Sequence, residues 1–179
     1  TGQFNMLYAF GVGEAPISIS GNEDRPDRIA HTVRAVGQVT GALAKLRVGD
    51  VVGLRGPYGN GWPLEECLDR DVVVVAGGLG LAPLAPAIES LASDPSRTGR
   101  LIVLAGARTP GDFLFSRRLA RWRKADRTEV LATVDRASPD WREHVGVVPA
   151  LLDRLHLDPA RTAALVCGPE VMMRFTLRR

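Results

Sequence analysis

Cysteine is nearly absent from this sequence. Only Cys67 and Cys167 occur, too few for a disulfide scaffold and with no Cys-x-x-Cys pair to hold a metal. Histidine is as sparse, and His31, His144 and His156 have no partners at ligand spacing, so no metal site is expected. Long apolar runs are missing too. The longest, around Val72 to Ala76, is far too short to cross a bilayer. No charged segment followed by an apolar one opens the chain, so nothing marks it for secretion, and the reducing cytoplasm is the expected compartment. Lysine is rare: Lys45 and Lys124 are the only two among 23 basic residues, which reads as codon bias. Aromatics reach only 6% and do not interleave with the arginines, so a pI near 9.3 does not make a nucleic-acid interface.

What is there is ordinary globular composition, 45% apolar and 24% charged, over 179 residues. That is room for one domain or two small ones. Charge divides unevenly, with 6 basic and 8 acidic residues (net −2) over 1–69 and 17 and 12 (net +5) over 70–179. The densest basic run, Arg117 to Lys124, has helical periodicity. Phe115, Leu119 and Trp122 share one stripe, and Arg117, Arg121 and Lys124 form a solvated outer face. The chain starts at Thr1 and ends at Arg179 inside an expected helix, so both ends read as cut.

The first part, 1–66, reads as antiparallel β structure. Gln3–Tyr8, Ala15–Ser20, Ala30–Val36 and Asp50–Gly56 alternate or extend, with an exposed loop over Gly21–Asp27 and a short helix over Gln38–Leu46. Three or four strands do not close a barrel, so a partial barrel is expected. The style changes at Asp71. Val72–Ala76 is a strand buried on both faces, and strands over 100–105, 128–134 and 163–167 alternate with helices over 83–92, 113–124, 147–155 and from Glu170 onward. That alternation predicts a doubly wound α/β sheet over 70–179, with four strands visible and the last one missing.

Chemistry concentrates at strand ends. Gly77-Gly78-Leu79-Gly80-Leu81-Ala82-Pro83 follows the buried strand and opens a helix, with Pro83 expected at its first position. It reads as a tight turn or as a seat for a pyrophosphate on the helix N-terminus. After the second strand stand Arg108 and Thr109, where a common NAD site carries an acid. Arg108 suits phosphate oxygens or loop carbonyls, so the choice of NAD or NADP stays open. After the last strand comes Cys167-Gly168-Pro169-Glu170, ahead of Met172 and Met173. Cys167 is better read as a small buried thiol than as a nucleophile, since no base is evident. Gly37-Gln38-Val39-Thr40 offers a second possible phosphate seat.

In order, Pro16-Ile17-Ser18, Gly37 to Thr40, Gly56-Pro57-Tyr58-Gly59, the Gly77–Pro83 turn and Cys167-Gly168-Pro169 resemble the ferredoxin–NADP reductase superfamily. Gly11 to Ser20, Gly106 to Pro110 and Cys167 to Met173 are similar to the gamma subunits of cytoplasmic nickel–iron hydrogenases (sulfhydrogenases). The corresponding subunit of anaerobic sulfite reductase and the dihydroorotate dehydrogenase electron-transfer subunit are related. The resemblance implies an FAD barrel followed by an NAD(P) domain, a diaphorase-type FAD-dependent NAD(P)H oxidoreductase that exchanges electrons with hydrogenase or reductase partner subunits in a hetero-oligomer.

By that resemblance Pro16, Ile17, Ser18 and Ile19 line the flavin ring, with Ser18 at the nitrogen that exchanges hydride. Arg34, Gly37, Val39 and Thr40 would seat the FAD pyrophosphate. Gly77, Gly78, Gly80 and Pro83 would hold the NAD(P) pyrophosphate, and Arg108 and Thr109 its adenosine side. Cys167, Gly168, Pro169 and Glu170 would border the nicotinamide, which places Ser18, Cys167 and Glu170 beside the reacting atoms. Two departures stand out. Glu14-Ala15 occupy the place where many members carry an arginine for the flavin phosphate, leaving that task to Arg34 or backbone N–H groups. The [2Fe–2S] cluster of the gamma subunits is expected only in a full-length protein, its four thiolates being absent here. The alternatives are a docking or electron-transfer module that has lost tight FAD binding, and a flavin-free nicotinamide dehydrogenase. The second lacks a His, Lys or Tyr at recognisable catalytic spacing.

Overall fold

The computed structural model describes residues 1–21 and 27–179; the loop expected over Gly21–Asp27 lies mostly outside the described residues. The chain divides into two compact units, Thr1–Trp62 and Pro63–Arg179.

The first unit is an antiparallel sheet in the order β3-β2-β1-β4. Its strands are β1 (Phe4–Ala9), β2 (Gly13–Gly21), β3 (Ala30–His31) and β4 (Gly53–Tyr58). Period-two alternation sends Leu7, Ala9 and Ile17 to one face. There they meet Leu43 of the short helix α1 (Gln38–Leu43), and Ala15, Val33, Val39 and Ala42 complete that small core. The alternation of Ala30–Val36 predicts a longer strand than forms. Pairing stops after His31, next to an irregularity in the β2–β3 ladder between Ile19 and Gly21. Beyond it Thr32 bonds the Ser20 hydroxyl through its side chain at 2.9 Å.

The second unit is a parallel sheet ordered β8-β7-β6-β5-β9. It comprises β5 (Asp71–Gly77), β6 (Leu101–Ala107), β7 (Thr128–Val134), β8 (His144–Val145) and β9 (Thr162–Cys167). Val72 to Val75 are at most 1% exposed. Each is worth about 1.5–3 kcal/mol of burial, so this strand anchors the unit. The sequence predicts four strands and the fifth, β8, is two residues long. It carries no pattern of its own and is held from outside: Thr133 Oγ1 donates to the Gly146 carbonyl at 2.7 Å and Trp141 Nε1 to the His144 carbonyl at 2.8 Å.

Helix α2 (Leu81–Ser93) starts two residues earlier than expected, so Pro83 occupies its third position rather than its first. The missing N–H is harmless in either place, because the first four have no intrahelical partner. Pro86 lies inside the same helix. Helix α3 (Ser116–Trp122) starts later than the stripe suggests, because Phe115 has φ 56°. Leu119 and Trp122 remain buried, and Arg121 reaches Glu89 at 2.6 Å. Residues 147–155, expected as helix, form a 3-10 turn over Val148–Arg154. Its three-residue period drops Val148 and Leu151 together onto the sheet. Helix α4 (Glu170–Thr176) ends the described chain. Among the described residues no helix is long and apolar enough to cross a membrane, and no cluster of three His, Cys, Asp or Glu could hold a metal.

Candidate functional site

The carboxyl edge of the parallel sheet is where β5, β6 and β9 deliver their turns. Gly78 has φ 54°, in the left-handed region that favours glycine. Gly77 and Gly80 have no room for a side chain, because both meet the β9 turn. A Cβ on Gly80 would overlap the Cys167 carbonyl and stand 2.7 Å from the Gly168 nitrogen. One on Gly77 would stand 3.0 Å from Pro169 Cδ, and one on Gly168 2.8 Å from Met172 Cε. The β5 and β9 turns therefore pack backbone against backbone, which brings Gly77, Gly80, Cys167, Gly168 and Pro169 together. Helix α2 enters this edge with no side-chain cap and no acid in its first turn. Its first residues, Leu81 and Ala82, are buried, and the Leu81 N–H bonds back to the Gly78 carbonyl of the preceding 3-10 turn.

Gly106 faces Gly77 in the β5–β6 pairing, so Arg108 emerges two residues further along the same edge, exposed. Thr109 is engaged already. Its hydroxyl donates to Asp112 Oδ2 at 2.7 Å, its N–H donates to the same oxygen at 3.1 Å, and its Oγ1 accepts the Asp112 N–H, which leaves one hydroxyl lone pair for a ligand. Burial pushes the Cys167 thiol up from its ordinary value, so it remains protonated at neutral pH and is a poor nucleophile. Glu170 opens α4, exposed, with Arg174 at 3.7 Å.

In the first unit the alternation of β2 divides the expected flavin segment. Pro16 pairs with Met6 and Ser18 with Phe4, on the face opposite the core. Ile17 is 9% exposed and its side chain belongs to the core, on the face opposite Pro16 and Ser18. Val39 likewise leans on the core, 3.3 Å from where a Gly13 Cβ would sit, rather than on a phosphate. Thr40 Oγ1 accepts the N–H groups of Val36 (3.1 Å) and Gly37 (3.0 Å), closing the turn from within. Arg34 is exposed, and Ile19 is half-buried.

Glu14, the acid where an arginine was expected, is held by Arg55 at 2.6 Å. Arg55 also donates to the Tyr58 hydroxyl at 2.5 Å, with its guanidinium carbon 5.3 Å from that ring's centroid. These bonds raise the Arg55 pKa further, first through Glu14 and then through Tyr58. The sequence reading missed Arg55 and Asp112. The signal for each was its place beside a quoted motif, Gly56–Gly59 and Gly106–Pro110.

A parallel α/β unit with a glycine turn and an uncapped helix at its carboxyl edge, preceded by an antiparallel sheet with an outward Pro-x-Ser segment, has the ferredoxin reductase-like fold. The profile of the oxidoreductase NAD-binding domain matches residues 74–178, and the chain belongs to that family. It is 33% identical over 176 residues to the gamma subunit of sulfhydrogenase 1 of Pyrococcus furiosus, an alignment covering 97% of this chain and 60% of that protein. It is 38% identical over 173 residues to a probable dihydroorotate dehydrogenase B (NAD(+)) electron transfer subunit of Methanocella arvoryzae, covering 96% and 58%. The chain thus spans about three-fifths of the length of these relatives. Among solved structures, a ferredoxin NADP+ reductase from Neisseria gonorrhoeae with bound FAD and NADP shares the fold. Its TM-score is 0.77 at 22% identity, covering 99% of this chain and 76% of that one.

Proposed function

We propose that the chain is the flavin- and nicotinamide-binding portion of an electron-transfer subunit, passing reducing equivalents between NAD(P)H and FAD and on to or from a hydrogenase or reductase partner. The observation that carries this reading is the carboxyl edge of the parallel sheet, where the uncapped N-terminus of α2 stands against the Cys167–Pro169 turn. On this reading residues 1–66 belong to an FAD barrel and 70–179 form an NAD(P) domain. FAD supplies the chemistry when bound, taking up a hydride and giving up electrons singly.

The protein's own work is binding and orientation. Gly78 and the first turn of α2 offer N–H groups to a pyrophosphate. Arg108 offers a guanidinium to the adenosine side and Thr109 one lone pair. Cys167, Gly168, Pro169 and Glu170 border the nicotinamide, with Cys167 as a protonated packing group. Pro16, Ser18 and the backbone of Ile17 and Ile19 present an edge to the flavin ring, while Arg34 and the Gly37 turn face its phosphates. The test is the absorption spectrum of the purified full-length protein, followed by anaerobic titration with NADH and NADPH. Flavin bands that bleach with either nucleotide are expected; a protein without flavin that reduces no dye overturns the reading.

A second reading, a docking module without tight FAD, is favoured by one observation. Glu14 holds Arg55, and Thr40 is closed on its own turn, so few groups remain for the flavin phosphate. A colourless protein that still co-purifies with a partner subunit is its outcome.

A further inference from the structure

The carbonyl of Ser18 is held by a side chain where a neighbouring strand would ordinarily hold it. Ile19 N–H bonds the Gln3 carbonyl at 2.9 Å. That makes Phe4–Ser18 a non-hydrogen-bonded pair and turns the Ser18 carbonyl away from β1, toward β3. Strand β3 is only two residues long, and its His31 fills the gap, with Nδ1 3.0 Å from the Ser18 carbonyl oxygen. The other ring nitrogen, Nε2, stands 3.1 Å from the side-chain amide nitrogen of Asn5. Asn5 is 1% exposed and its Oδ1 has no hydrogen-bond partner.

A carbonyl oxygen only accepts, so Nδ1 carries a proton. This holds in either orientation of the Asn5 amide: as drawn, the amide N–H donates to a neutral ring, and turned over, its Oδ1 accepts from a doubly protonated one. The His31 ring therefore spans β2, tying the carbonyl of a half-buried site residue to a buried amide on β1. A buried amide with an unpartnered oxygen is an expensive anchor for the fold alone, since an apolar residue of the same shape would avoid that cost.

We propose that His31, braced by Asn5, is the positioning residue that fixes the Ser18 segment for hydride exchange with the flavin. This rests on the flavin reading above. His31 touches neither ring; it acts through the Ser18 carbonyl, and the direction of the Ser18 hydroxyl follows from it.

The experiment uses the full-length protein and three variants, with imidazole nitrogen NMR and stopped-flow flavin reduction by NADH. The wild type is expected to show His31 protonated at Nδ1. His31→Leu should slow flavin reduction about tenfold with the nucleotide KM unchanged. His31→Asn, which keeps a donor near the Nδ1 position, should recover to within about twofold of wild type. His31→Gln, which keeps only the Nε2 end, should not recover. Circular dichroism controls for folding. The proposal is overturned by an Nε2-only proton, by a His31→Leu rate within twofold of wild type, or by His31→Asn faring no better than His31→Leu. A wild type that holds no flavin overturns the reading beneath it instead, and the nitrogen spectrum tells the two failures apart.

Discussion

Gly80, in the turn that follows β5, lies so close to the carbonyl of Cys167 at the end of β9 that a single added methyl has no room. The neighbour is backbone, fixed by six paired positions between the two strands, and cannot step aside. Gly80→Ala should therefore destabilise the second unit by about 1–3 kcal/mol. The midpoint of urea unfolding checks it, and an unchanged midpoint would show that β9 yields. Dinucleotide affinity should fall in the same variant, because the displaced turn is the one that opens α2.

At the opposite edge of that sheet, Asp71 receives the Arg100 guanidinium at 2.7 Å and its backbone N–H at 2.8 Å. Burial raises the Asp71 pKa, but the Arg100 bonds and charge outweigh it, and the carboxyl sits below its ordinary value. With the folded pKa the lower one, the unfolded chain takes up the proton first as pH falls. The stabilisation is thus complete above the ordinary carboxylate range and lost as pH drops through the lowered value. Asp71→Asn should be less stable than wild type at neutral pH, and the gap should close in acid; denaturant titrations at stepped pH values measure it.

Cys167→Ala should leave NAD(P)H-dependent dye reduction within about threefold of wild type, since a thiol pushed up by burial supplies no nucleophile. Iodoacetamide should label Cys167 slowly near neutral pH. A loss of a hundredfold or more would restore the thiol to the chemistry.

Arg108→Ala should raise the KM for NADPH about tenfold while leaving that for NADH within about twofold, the loss of one charge-assisted contact to a phosphate. Steady-state kinetics with both nucleotides decide it. An equal effect on both would place the guanidinium on the shared pyrophosphate or on loop carbonyls.

The sequence announces the parallel sheet because Val72 to Ala76, buried on both faces, needs nothing beyond its own composition to be recognised. Thr128–Val134 also appears with its expected bounds, although Glu129 is exposed and only Ala132–Val134 is buried without a break. Elements whose bounds depend on contacts outside their own run were not legible. Strand β8 exists through bonds from Thr133 and Trp141, and β3 stops where the β2 ladder becomes irregular. Within the site, residue types were legible and directions were not. Ile17 and Val39 lie inside motifs that the resemblance assigns to the flavin, yet period-two alternation and the packing of α1 turn both into the core. The Gly77–Pro83 turn was recognisable as a nucleotide signature, whereas the demand that β9 makes on Gly77 and Gly80 comes from about ninety residues downstream.

The tryptophans fall where light can distinguish the two units. Trp122 is 2% exposed, and Trp141 stacks on Phe113 at 5.5 Å, both in the second unit, while Trp62 closes the first. An indole sealed from water emits at shorter wavelength than a wet one, so Trp122 gives the second unit its own colour. Replacing Trp62 with phenylalanine leaves a protein whose tryptophan fluorescence follows the melting of the second unit alone.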